Sequence, residues 1–133
     1  MAKYKFKGGY SHVKRGRAPD LGNRFFRSRV EKNYARYLNF LVHYKKISKW
    51  EYEPDEFEFP VKRGTRFYLP DFKIWNNDGT IEYHETKGYF DQKSRTKLAR
   101  MKLYYPQIKV VLINSQTYNN IAKAVSKLIP TWE

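Results

Sequence analysis

Cysteine is absent from the chain. That excludes a disulfide framework, a thiolate nucleophile and a zinc ribbon. Histidine is scarce: His12, His43 and His84 are the three present, and no pair has the spacing of a helical zinc motif. No His-Asn-His nuclease motif is recognisable. No apolar run approaches the ~20 residues needed to cross a bilayer. The basic start, Met1 to Lys7, is not followed by the apolar segment of a secretory signal. The expectation is a protein of the cytoplasm, with no membrane and no small-molecule substrate. There is no internal repeat and no low-complexity tract.

Acidic residues are in short supply too. Thirteen Asp and Glu face 27 Lys and Arg, a net charge of +14. Such an excess attracts polyanions, nucleic acid above all. Residues 1–30 hold nine basic residues against Asp20 alone, so more than half of the excess lies in the first quarter of the chain. That stretch also contains Gly8-Gly9, Gly16, Pro19 and Gly22 and has no sustained periodicity. It reads as a flexible basic arm over residues 1–23, either clamping phosphates or aiding solubility. What is abundant is aromatic: 12 Tyr, 9 Phe and 3 Trp in 133 residues. One compact domain with a real core, residues 24–133, is expected rather than disorder.

Apolar residues recur at helical spacing from Ser28 to Tyr44, and Ser28 with Glu31 fits a capping box. From Trp50 the period changes to two, suggesting short strands around Trp50–Glu53, Phe57–Val61, Phe67–Trp75 and Thr80–Lys87. Gln92–Tyr104 reads as a helix stopped by Pro106, with Leu98, Met101 and Tyr105 inward and Lys93, Arg95, Lys97, Arg100 and Lys102 outward. Ile108–Ile113 suits a central strand, and Gln116–Leu128 a last helix. The order implies an α/β fold, a mixed β-sheet flanked by helices, with a parallel strand–helix–strand crossover over 80–113.

The hairpin around Asp78 carries the chemistry. A three-residue loop, Asn77-Asp78-Gly79, with glycine in the left-handed position, pairs Asn76 with Thr80. Counting outward puts Asp71 opposite Glu85 on one face, with Lys87 two residues further along that face. Opposed carboxylates repel unless something offsets them. Hard oxygen donors favour Mg²⁺, and Lys87 beside it would steady a phosphate charge or help deprotonate water. The alternative is a surface on which Lys87 pairs with Glu85 and Asp71 is solvated. Lys73 shares the face of Asp71 and either meets a phosphate or faces solvent. His84 falls on the opposite face and reads as a packing residue.

Leu69-Pro70-Asp71-Phe72, the hairpin, and Glu85-Thr86-Lys87-Gly88 resemble the signature of the PD-(D/E)xK nuclease superfamily. With Arg27-Ser28-Arg29-Val30-Glu31 on the upstream helix, the pattern resembles in particular the phage endonuclease I type of Holliday-junction resolvase. The likeness covers roughly residues 27–113. It implies a restriction-endonuclease-like core. It also implies Mg²⁺, with Mn²⁺ expected to substitute, held by Asp71, Glu85 and the Thr86 carbonyl. Glu31 would be an additional acidic residue near the metal, and Lys87 would assist phosphodiester hydrolysis. Glu31 alternatively serves only its cap.

The resulting expectation is a Mg²⁺-dependent endodeoxyribonuclease that acts on branched DNA as a homodimer. Its catalytic set would be Glu31, Asp71, Glu85 and Lys87. Lys14, Arg15, Arg17, Arg24, Arg27, Arg29, Lys73, Lys93 and Arg95 would contact DNA. A nicking, restriction-like or transposon-end nuclease of the same fold is the near rival. A non-catalytic nucleic-acid-binding protein is the distant one.

Overall fold

The structure is a computed structural model, and residues 15–133 are described. A short antiparallel hairpin opens it: β1 (Gly16–Ala18), a 3-10 turn (Pro19–Leu21) and β2 (Arg24–Phe26). Then follow α1 (Arg29–His43), β3 (Lys49–Tyr52), β4 (Phe57–Glu58), β5 (Phe67–Tyr68), β6 (Phe72–Trp75) and β7 (Ile81–Thr86). α2 (Gln92–Tyr104), β8 (Val110–Ile113) and α3 (Ser115–Val125) complete the chain.

The main sheet has the order β3-β6-β7-β8. β6 pairs antiparallel with β3 and with β7, and β8 joins parallel to β7 after the α2 crossover. The protein is thus a mixed α/β fold. One face of the sheet carries Phe72, Ile74, Val111 and Ile113 and packs under Tyr34, Ala35 and Leu38 of α1, with Tyr118 and Ile121 of α3 beside them. The other face carries Val110, which packs with Met101 and Leu98 of α2 and with Phe59 and Tyr68 from the β4–β5 pair. Burying large apolar side chains on both faces supplies the main driving force.

The hairpin forms as its turn chemistry dictates. The Asn76 amide donates to the Thr80 carbonyl at 2.8 Å, and Gly79 has φ +88°, a region costly for a side-chain-bearing residue. Phe72 pairs with His84, so the expected register holds through β6 and β7. α2 has the expected bounds because Asp91 caps it, accepting from the Ser94 amide at 2.8 Å. His84 packs as expected, 2.6 Å from the Tyr34 hydroxyl through Nδ1.

Several expectations need correction. Residues 16–23, assigned to a flexible arm, belong to the fold; residues 1–14 lie outside the described residues. Gly16 (φ +141°) opens β1 opposite Phe26 and Gly22 (φ +74°) closes the 3-10 turn, so both glycines serve ordered structure. Ala18, Leu21 and Phe26 enter the core, and Asp20 grips the buried guanidinium of Arg36 through two hydrogen bonds of 2.9 and 3.0 Å. The strand expected over Phe67–Trp75 is broken into β5 and β6. Pro70 has no N–H to donate, and Asp71 turns its side chain into the Thr86 backbone. The Phe57–Val61 strand shrinks to two residues. The last helix ends at Val125, sooner than Leu128. Arg100, expected outward, donates to the Gly64 and Thr65 carbonyls at 2.5 and 2.8 Å and pins that turn.

Candidate metal and phosphate site

The ends of three adjacent strands build the site. The β6–β7 register, extended by one pair, sets Asp71 against Glu85. The β3–β6 register, extended likewise, sets Glu53 against Asp71, and the Glu53 amide donates to the Asp71 carbonyl at 2.8 Å. Three carboxylates therefore stand abreast: Glu53, Asp71 and Glu85. Glu53 was not among the expected site residues. It has φ +50°, unusual for a residue with a side chain, and this marks the point where β3 stops.

Asp71 is only 3 % exposed. Its Oδ2 accepts from both the amide and the hydroxyl of Thr86, each at 2.8 Å. Its Oδ1 faces Nη2 of Arg27 at 3.5 Å. Burial first, then the charges of Glu85 and Glu31, push the Asp71 carboxyl up to about 8, against the two Thr86 hydrogen bonds. Glu85 accepts from the Tyr68 hydroxyl at 3.0 Å. Burial raises its pKa also, partly offset by that hydrogen bond and by Lys87. Two carboxyls shifted up together form an acidic pair that the protein's own cations offset only in part.

Glu31 caps its helix in a modified way. Its amide donates to Ser28 Oγ at 3.1 Å, which is half of the expected box. Its carboxylate accepts from the Arg27 amide at 2.9 Å instead of the Ser28 amide, and from the Tyr52 hydroxyl at 2.7 Å. The cap thus leaves Glu31 at the site. It lines a cleft of about 380 Å³ together with Thr86, Lys87, Ser28 and Asn114. Lys87 also reaches the recess beside Tyr68, Glu85 and Lys97.

Lys97 is the second residue that the sequence reading missed as part of the site. Expected to face solvent, it is half-buried, and burial followed by the charge of Lys93 holds its pKa below the usual lysine range. It also influences Glu85. Its place is set by α2 packing across the sheet, which helical periodicity alone does not report.

The basic residues expected on DNA divide into two sets. Arg15, Arg17, Arg24, Lys93 and Arg95 are exposed, and Arg29 is half-buried at the start of α1. Of these, Arg17 donates to the Asn23 carbonyl, Arg24 lies over Trp50 and Arg95 over Phe90. Lys73 pairs with Asp55 at 2.7 Å, and Arg27 enters the acidic site. Lys14 lies outside the described residues.

Among the described residues, no three Asp, Glu, His or Cys side chains form a complete metal cage. The donor set nonetheless fits Mg²⁺, which takes one or two carboxylates and fills its other positions with water and phosphate oxygens. Asp71 and Glu85 would be the two, with the charge of Glu31 already felt at Asp71.

Residues 17–120 match the family described as "Protein of unknown function (DUF1064)", and the chain belongs to that family. No curated protein and no solved structure matches it.

Proposed function

We propose that this protein is a metal-dependent endodeoxyribonuclease of the PD-(D/E)xK type, acting on branched DNA. The observation that supports this most is the pairing of buried Asp71 with half-buried Glu85, both pKa values raised, beside Lys87 just past the end of the strand that carries Glu85. A purely structural role would not favour opposed buried carboxylates, because they cost stability. Strongly perturbed acids are a common mark of a functional site, and Glu85 lines the small recess that Lys87 also reaches.

In this reading Asp71, Glu85 and the Thr86 carbonyl hold Mg²⁺, with Mn²⁺ able to replace it. The ion would polarise the phosphodiester and lower the pKa of a bound water. Thr86 fixes one Asp71 oxygen and leaves the other for the site. Tyr68 orients Glu85. Lys87 lies against the cleft, where its ammonium meets charge developing on the phosphate or positions the attacking water. Glu31, steadied by Tyr52, adds negative charge at the cleft wall. The net charge of +14 would gather DNA from solution. Resolving a junction needs two cuts, so the acting form would be a two-fold homodimer.

The test is cleavage of a labelled four-way junction, a linear duplex of the same sequence and single strands, with Mg²⁺ or chelator. We expect Mg²⁺-dependent cleavage favouring the junction, abolished in Asp71→Asn and Glu85→Gln. Equal cleavage of duplex and junction would instead identify a nicking or restriction-like enzyme. DNA binding without cleavage in any metal would identify a binding protein.

A further inference from the structure

Arg27 sits just before α1 and turns its side chain back into the acidic site. Its Nη2 makes a close contact with Glu53 and lies 3.5 Å from Asp71 Oδ1, while its Nε is 3.9 Å from Glu31 Oε2. Each of the three is a single nitrogen–oxygen contact, not the bidentate fork that arginine makes with a carboxylate in its strongest pairs. The guanidinium is shared between carboxylates rather than matched to one. Its side chain is 54 % exposed, whereas that of Asp71 is almost fully buried. Exposed ion pairs contribute little each and are readily exchanged.

The oxygens of Asp71 are the crux. Oδ2 is taken by two donors from Thr86, so Oδ1 is the oxygen left for a cation, and Arg27 faces it. We propose that Arg27 and a divalent cation compete for Asp71, so that metal binding requires the guanidinium to swing out of the acidic site. This rests on reading Asp71 and Glu85 as the metal carboxylates. It adds a positioning role for Arg27 and Glu53 that the signature residues do not include. Glu53 is the holding partner: it contacts Arg27 most closely, and its backbone is tied to Asp71. A guanidinium released from Asp71 stays tethered at the cleft mouth, available to a phosphodiester. Metal and DNA phosphate would then favour the same outward position of Arg27, which makes their binding mutually supportive.

The cost of displacement appears as a lowered metal affinity, because only the fraction of molecules with Arg27 displaced is competent. The experiment is calorimetric titration of Mn²⁺ into the full-length protein without DNA, comparing wild type, Arg27→Met, Arg27→Lys and Asp71→Asn. We expect Arg27→Met to bind the metal on the order of 5- to 10-fold tighter than wild type. Arg27→Lys, which keeps the charge and loses the planar reach, should fall between them, and Asp71→Asn should lose most of the affinity. Equal affinity in wild type and Arg27→Met, or weaker binding in the variant, overturns the competition and leaves the metal site standing. No binding in any protein overturns both the competition and the site on which it rests. Circular dichroism would establish that each variant is folded. If Arg27→Met is not, Glu53→Gln loosens the same contact and carries the same expectation of tighter binding.

Discussion

Replacing Asp71 by asparagine should stabilise the protein, by an amount that depends on pH. The substitution keeps the shape of the side chain and an oxygen that can accept from the Thr86 amide and hydroxyl. It removes a carboxyl whose pKa stands near 8 in the folded protein against an ordinary 3.8. Below about pH 4 the carboxyl is protonated both folded and unfolded, so the substitution changes little there. Between pH 4 and 8 the unfolded chain releases the proton while the folded one keeps it, so wild-type stability falls as pH rises. Above about 8 both forms are ionised and the penalty levels off. A displacement of about four pH units at ~1.4 kcal/mol each sets a ceiling of roughly 6 kcal/mol. Sharing of one proton with Glu85, and the amide NH₂ now facing Arg27, reduce the expected gain to about 2–3 kcal/mol at pH 8. Urea unfolding in chelator from pH 4 to 9, at one fixed protein concentration, measures it. A difference between the proteins that does not change with pH would refute the reasoning, as would a less stable Asp71→Asn at pH 8.

Lys87→Ala should lose on the order of 10²-fold or more in single-turnover cleavage while binding DNA almost as well, since one phosphate contact is a small part of a polyelectrolyte affinity. Equal losses in binding and rate would make Lys87 an ordinary phosphate anchor. Deletion of residues 1–14, which removes Lys3, Lys5, Lys7 and Lys14, should lower the slope of log affinity against log salt by about two to three and leave folding unchanged. Deletion of residues 1–23 should cost on the order of 3–5 kcal/mol, because Leu21 leaves the core and the buried Arg36 loses Asp20. Thermal unfolding of the two truncations separates these effects, and equal melting temperatures would contradict the structural role of the β1–β2 hairpin.

The parts of the fold that sequence revealed are those decided locally. The Asn77-Asp78-Gly79 turn specifies its own geometry, and once Asn76 meets Thr80 the alternation of β-strands carries the register along β6 and β7. Asp91 and Pro106 bracket α2 in the same local way. The opening hairpin was hidden because glycine and proline have two meanings. Gly16 and Gly22 adopt positive φ in an ordered strand end and an ordered turn, and only the burial of Ala18, Leu21 and Phe26 distinguishes that from a mobile arm. A window with three apolar residues among arginines offers no period from which to infer burial.

The same distinction divides the candidate site. Asp71, Glu85 and Lys87 share one hairpin, so counting from its turn finds them. Glu53 and Arg27 reach Asp71 through pairings that the chain between them does not encode locally. Glu53 and Asp71 stand 18 positions apart in sequence, yet β3 lies against β6, and its register places one opposite the other. Sequence alternation told that Trp50 and Tyr52 share a face, but not which strand they join. A hairpin reading therefore sees two carboxylates awaiting a cation, whereas the sheet holds a third carboxylate and an arginine that already meets part of the demand. That difference changes the chemistry expected of the site. Two bare carboxylates would bind a divalent ion as soon as it arrived, while carboxylates sharing Arg27 would bind it at the expense of an existing contact. On the proposed reading, control over metal entry would lie in the long-range pairing of β3 with β6, outside the motif that suggests the metal residues.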